Sequence, residues 1–222
     1  PRFGHADDVW SEKFEVTDHR GGGRSSGRET VSRVIGGEVE KMLLKTVAPE
    51  LTFKAILTQV GPHLVFESPS NPSKSLIEIL SHAKETGESY GAKLRLSISG
   101  VPPLLGQPVF HKLKSDLGSA ILGIGAVNGI EFGIGFDASS QNGTALYCEN
   151  KDPKIFGGIR GGISTGEDIE ISVSFKPTSS ILDIAKAGRH DPCIALRASV
   201  VVESMTALVL ADHILLRRLD NI

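Results

Sequence analysis

Thiols are almost missing from this chain. Only Cys148 and Cys193 occur among its 222 residues. Two are too few for a disulfide framework, they form no CxxC metal knuckle, and their scarcity points to a reducing compartment. An excess of either charge is missing as well: 24 lysines and arginines against 26 aspartates and glutamates leave a formal net charge of -2. A dedicated nucleic-acid or anionic-membrane binder needs clustered positive charge, so neither partner is expected. No apolar run approaches the roughly 18 residues of a membrane span, and the N-terminus has no signal-peptide core. The cytoplasm is the default compartment, with a plastid as the alternative. Aromatic residues make up only 5% of the chain, whereas glycine is abundant, with 25 residues, many in clusters. The backbone must therefore turn tightly, or approach a ligand closely, in many places. With 40% hydrophobic and 23% charged residues the chain reads as globular. No charged or low-complexity linker divides it, so residues 1–222 read as one domain. It opens on Pro1 without a starting methionine and is read as a segment of something longer, in which internal residues can also be missing.

Residues 1–23 are polar and glycine-rich, ending in Asp18-His19-Arg20-Gly21-Gly22-Gly23. From Ser25 or Ser26 onward, Val31, Val34, Ile35, Val39, Met42, Leu43 and Val47 recur at spacings of three and four, one apolar stripe of an amphipathic helix. Ser26, with Glu29 three residues on, fits an N-cap with a capping box. The pattern predicts a strand over 51–60 ending at Gly61-Pro62, a loop over 67–75, a helix over 75–86 and a strand over 92–101. Beyond the break at Gly100-Val101-Pro102-Pro103 it predicts a helix over 112–124 and a strand over 129–136. A glycine-studded loop over 138–168, a strand over 169–175 and a long apolar helix over 195–219 complete the chain. Helices and strands thus come in two similar blocks, which reads as two related layers packed together, without a sequence repeat.

The densest chemical signal is Gly21-Gly22-Gly23-Arg24-Ser25-Ser26-Gly27-Arg28-Glu29. Glycines let the backbone approach an anion, a helix N-terminus offers free N–H groups, and arginines supply forked donors. The alternatives are an ordinary glycine-led helix cap with surface arginines, and an RGG-like nucleic-acid contact, which the missing interleaved aromatics oppose. Lys176-Pro177-Thr178-Ser179-Ser180 follows a strand and would suit a second anionic group, or is simply a strand-ending turn. In Gly188-Arg189-His190-Asp191-Pro192-Cys193 the single His-Asp pair is too little for a metal, and Cys193 beside an apolar stretch reads as core. Arg189, His190 and Asp191 facing a polar cleft make an acid/base candidate. His5 beside Gly4 reads alone as a solvated loop histidine. Gly123 to Gly129 mimics GxGxxG, but Asn128 stands at the third glycine position and a helix precedes it, which excludes a dinucleotide fold.

In chain order GHAD, DHRGGGRSSGRET, GVPPLLGQPVF, GAVNGIEFG, GGIRGGISTGEDI, FKPTSSI and GRHDPCIALRASVVVESMTALVLADHILL resemble chorismate synthase. The resemblance runs from Arg2 almost to the C-terminus. It implies an α+β fold, a β-α-β sandwich with helices between antiparallel sheets, and a homotetramer. It also implies a lyase that converts 5-enolpyruvylshikimate 3-phosphate to chorismate with reduced FMN and no net redox change. The same resemblance assigns flavin contacts to Arg24, Ser25, Ser26, Gly125, Ala126, Gly161, Lys176, Pro177, Thr178, Ser179, Ser180 and Arg189. Arg2 and Arg28 match arginines directed at the substrate. His5 matches a histidine that protonates or stabilises the reduced flavin, and Asp191 an aspartate that acts in removing the substrate's C6 proton. No metal is implied. Residues deciding an NADPH-driven flavin reduction fall outside the segment or are not distinctive. There are departures from the family pattern: its opening third is absent, Phe3 stands for a proline, Gly27 for a common alanine, and Gly125 for an asparagine. The 138–156 loop differs, and the link from Ile181 to Gly188 is short. The alternative reading is an inactive flavin- or phosphate-binding remnant.

Overall fold

The computed structural model describes residues 5–15, 23, 26–150, 152–186 and 190–220. β1 (Thr52–Val60), β2 (His63–Glu67), β3 (Ala92–Ser99), β4 (Val127–Phe132) and β7 (Ile169–Phe175) pair antiparallel in the order β2-β1-β3-β7-β4. β5 (Ile159–Arg160) and β6 (Ile163–Ser164) form a separate short hairpin. The helices are α1 (Asp7–Phe14), α2 (Thr30–Val47), α3 (Lys74–Thr86), α4 (Leu113–Leu122), α5 (Leu182–Lys186) and α6 (Ala195–Leu216). The fold is α+β with antiparallel sheets. Strands from the two halves of the sequence lie side by side in one sheet, β2-β1-β3 joined to β7-β4 through the β3–β7 pairing, where the block pattern reads as two layers.

Alternation builds the sheet. Along β3, Ala92, Leu94, Leu96 and Ile98 are buried while Lys93 and Arg95 are exposed. Their partners on β7 are Phe175, Val173, Ile171 and Ile169, all buried, so one face is continuously apolar. The other face carries Lys93 with Glu131, 3.4 Å apart, and Ser97, whose hydroxyl donates to Glu170 at 2.9 Å. Leu113, Leu117 and Ile121 of α4 and Val202, Leu210 and Ala211 of α6 join the core on the apolar side; burying one such leucine or isoleucine contributes about 1.5–3 kcal/mol.

With its last turn, α6 spans Ala195–Leu219 and is long and apolar enough by composition to cross a membrane, which corrects the reading that no run comes close. Here it is the core helix, touching α2, α4, β1 and β3. Its buried Ser204 and Thr206 hydroxyls donate back to Val200 and Val202 at 2.7 and 2.8 Å, and buried His213 donates from Nε2 to Asp116 at 3.0 Å.

The helix over 30–47 forms, but its apolar residues do not make one stripe. Val34, Leu43, Leu44 and Val47 face the core, whereas Val31, Ile35, Val39 and Met42 are 62, 63, 59 and 70% exposed. Gly37 is buried between them and the core. A β-carbon there would lie 2.5 Å from the Ser204 Cα, so α2 and α6 touch backbone to backbone at this point. Other differences are local. The strand expected over 129–136 starts two residues early and ends at Phe132, because Gly133 and Gly135 take left-handed φ of 59° and 56°. The sequence pattern gives no sign of β2, α1 or α5, and residues 135–168 hold three helical turns and the β5–β6 hairpin where one loop is expected over 138–168.

Candidate active site

Register places the expected site segments together. Val60 pairs with Ala92, Ala92 with Phe175, and Val127 with Phe175. That row is one end of the sheet, so the segments just beyond it, 87–91, 123–126 and 176–180, emerge side by side. Hydrogen bonds lace them. Lys176 N–H donates to the Ala126 carbonyl at 2.9 Å, and the Ser89 hydroxyl to the Thr178 carbonyl at 2.8 Å. The Gly91 position has no room for a side chain, since a β-carbon would meet the Phe175 carbonyl at 2.7 Å. Ala126 holds φ 71°, a conformation that costs a non-glycine residue about 1–2 kcal/mol. Such outliers gather where surrounding structure over-determines them, at functional sites among other places.

Residues 190–193 dock on the same end. The Thr178 hydroxyl donates to the Asp191 carbonyl at 3.1 Å, and Tyr90 N–H to the Pro192 carbonyl at 2.7 Å. His190 Nε2 lies 2.7 Å from the Glu88 carbonyl. A carbonyl can only accept, so that nitrogen carries the proton. The Asp191 carboxylate meets Arg197 of α6 at 3.2 Å.

A cleft of about 800 Å³ adjoins this end, lined among others by Ala6, Trp10, Ser26, Gly27, Arg33 and Gly125. His5, half-buried, directly precedes Ala6. Ser26 is the N-cap that its position predicts, its hydroxyl oxygen accepting the Arg28 N–H at 3.3 Å. Glu29 does not close a capping box: its carboxylate takes Arg33 at 3.0 and 3.2 Å. Arg33 in turn donates to the Gly123 carbonyl at 2.9 Å, tying α2 to the 123–126 loop. Arg28 is exposed on the turn before α2.

The structure thus brings Ser26 and Gly125 to one cleft, with His5 next in sequence to its lining residue Ala6, and joins Ala126 to Lys176 and Thr178 to Asp191 by hydrogen bonds at the same end of the sheet. Pro177, Ser179 and Ser180 belong to the same segment. Gly161 is not brought there. It turns between β5 and β6, beside Gly162, whose carbonyl accepts the Leu113 N–H at 2.8 Å. Leu113 opens α4 and Gly123 ends it, so Gly161 is about 15 Å away along that helix. Arg2, Arg24, Ser25 and Arg189 lie outside the described residues. Sequence reasoning missed Ser89, Arg33 and Arg197; only the Glu29–Arg33 spacing of four carried a signal. A second cavity of about 340 Å³, between Lys114, Phe132, Tyr147 and Phe156, contains none of the expected residues. Among the described residues no group of three His, Cys, Asp or Glu side chains is placed to hold a metal ion.

Cys193 is buried. Burial pushes its thiol up and the charge of Asp191 adds to this, against the amides of Ala195 and Leu196, which pull it down. A thiol so held is a poor nucleophile, whereas Cys148 is exposed. An aromatic disulfide reagent should therefore modify one thiol per native chain, at Cys148, and the second only in denaturant. Two rapid equivalents in the native state would contradict the packing around Cys193.

The chorismate synthase family model matches residues 1–215. A chorismate synthase from Bdellovibrio bacteriovorus is 50% identical, over all of this chain and 70% of its own length. One from Paramagnetospirillum magneticum is 39% identical, over 96% of this chain and 69% of its own length. The Bdellovibrio alignment runs over 239 positions against 222 residues here, so that relative carries residues inside the matched span that this chain lacks. A crystal structure of chorismate synthase superposes with a TM-score of 0.77 at 26% identity, covering 97% of this chain and 71% of that one. By sequence and by fold, the chain belongs to the chorismate synthase family.

Proposed function

We propose that the chain eliminates phosphate and the C6 proton from 5-enolpyruvylshikimate 3-phosphate to give chorismate, with reduced FMN in the cleft and no net redox change. As a member of its family the chain is a lyase on the route to aromatic amino acids. The observation that carries the finer reading is the convergence of the Ser26, Gly125–Ala126, Lys176–Ser180 and His190–Cys193 segments on one end of the sheet, three of them tied by hydrogen bonds. Substrate and cofactor each bear a phosphate, which such a concentration of hydroxyls, amides and cations suits.

The residues fit the flavin. The cleft is large enough for a ligand of that size. At Gly125 a β-carbon would meet no atom within 4 Å, so a flat group can come close to the backbone there. Ser26, Gly125, Ala126 and Lys176 through Ser180 would hold it, and when bound it supplies electron density to the allylic system. Arg24, Ser25 and Arg189 are proposed to complete that set, and Arg2 and Arg28 to hold the substrate. Gly161 is proposed as a flavin contact on the resemblance alone, since it lies at the opposite end of α4 from Gly123.

The remaining chemistry falls to the side chains. Asp191 takes the C6 proton, and the C6–H electron pair moves into the ring as the C3–O bond to phosphate breaks. Lys176 and Arg28 stabilise the charge gathering on the leaving phosphate. His5 holds a proton at the flavin. A homotetramer and a cytoplasmic location belong to the same proposal; the exposed row Val31, Ile35, Val39 and Met42 on α2 supports an assembly that covers it.

The test is binding of reduced FMN to the complete gene product under anaerobic conditions, with and without substrate. Reduced FMN should bind more tightly in the presence of substrate, and His5→Ala should keep that binding while turnover falls about 100-fold. Absence of binding at millimolar FMN, or full turnover without His5, would contradict the reading.

A further inference from the structure

The backbone of Asp191 is held on both sides. Its own carbonyl accepts the Thr178 hydroxyl, the Pro192 carbonyl accepts Tyr90 N–H, and the His190 ring grips the Glu88 carbonyl. What those bonds leave undetermined is the rotation of the carboxylate. Arg197 engages it, with Nη1 3.2 Å from Oδ2, and among the described residues no other side chain bonds to that carboxylate.

The place of Arg197 needs a reason. It stands in the first turn of α6, where the positive end of the helix dipole disfavours a cation. Stability does not supply one. The arginine side chain is 66% exposed and the aspartate 28%, and a solvent-exposed ion pair of this kind adds little to folding. Arg197 stands beside the one carboxylate whose direction matters to the proposed reaction.

We infer that Arg197 is a positioning residue for Asp191: by occupying Oδ2 it fixes the carboxylate rotamer and leaves Oδ1 to take the C6 proton. This rests on the assignment of Asp191 as the base. Arg197 itself neither gains nor loses a proton. The C6 proton ends on Oδ1, the C6–H electron pair moves into the ring as the C3–O bond breaks and phosphate leaves with that bond's pair, and nothing changes at the guanidinium.

The experiment uses the complete gene product with Arg197→Ala, Arg197→Lys, Asp191→Asn and the Arg197→Ala/Asp191→Asn double variant. A base turned out of line should cost about 100-fold in kcat, with substrate KM and reduced-FMN affinity unchanged, and lysine should recover part of the loss. The deuterium isotope effect of C6-labelled substrate on kcat should rise in Arg197→Ala, because proton removal becomes the slow step. In the Asp191→Asn background, removal of Arg197 should cost nothing more. A silent Arg197→Ala overturns the inference while an impaired Asp191→Asn keeps the base assignment. So does a raised KM with kcat intact, which would make Arg197 a substrate contact, or a full multiplicative loss in the double variant. A fully active Asp191→Asn overturns the base assignment itself.

Discussion

Asp191→Asn should lower turnover by about three orders of magnitude and leave the melting temperature unchanged. General base catalysis contributes about 10²–10⁴-fold, and asparagine keeps the size of the side chain while losing its ability to accept a proton at neutral pH. The fold should not notice. The segment is docked through backbone atoms, the carbonyls of Asp191 and Pro192, and among the described residues the one side-chain bond lost is the ion pair with Arg197. Phosphate release and a thermal melt on the same preparation separate the outcomes. Turnover near that of the unmodified enzyme would remove Asp191 from the mechanism. A fall of many degrees in melting temperature would show that its carboxylate is structural.

The second large effect lies away from the chemistry, at adjacent glycines of α2. Gly36→Ala should be tolerated or stabilising: the new methyl would meet only Leu208 at 3.9 Å, an ordinary contact, and alanine is better than glycine in a helix by about 1 kcal/mol. Gly37→Ala should destabilise by about 2 kcal/mol, overpacking at the upper end of its usual 1–3 kcal/mol range less that gain in propensity. Its methyl would be driven into the backbone of Ser204, 2.5 Å from Cα and 2.8 Å from the carbonyl oxygen. Backbone cannot step aside as a flexible side chain can. Because α2 carries the Ser26 turn at its start and α6 the Asp191–Arg197 pair at its own, pushing the helices apart should also impair turnover. Paired denaturation curves test this, and equal effects at the two positions would contradict the α2–α6 contact.

Local pattern carried much of the fold. The 169–175 strand and the 195–216 helix were readable because a period of two and a long apolar run survive in the chain without help from neighbours. β2 was not, since an edge strand of five residues that turns Leu64 and Phe66 to solvent lacks the usual sign of a buried face. The two faces of α2 are indistinguishable in the sequence for a related reason: Val31, Ile35, Val39 and Met42 share their spacing with the core residues, and the tertiary contacts, the Gly37–Ser204 approach among them, decide which side is inside. Glu29 failed as a capping-box partner because Arg33, which also reaches Gly123 ninety residues away, claims its carboxylate. The site motifs at 176–180 and 190–193 were legible as chemistry, and their motif order carried the family. What joins them was not. Glu88-Ser89-Tyr90 has no motif of its own, yet its carbonyl, hydroxyl and amide hold both segments. Gly161 shows the converse, a motif glycine separated from the others by the length of α4.

Chorismate formation tests the central claim most directly: the complete gene product, 5-enolpyruvylshikimate 3-phosphate and chemically reduced FMN, mixed without oxygen, with chorismate and phosphate measured together. The expected result is one phosphate released per chorismate over many turnovers, with the flavin still reduced at the end. Binding of reduced flavin without formation of either product would contradict the assignment and leave a flavin-binding remnant in its place.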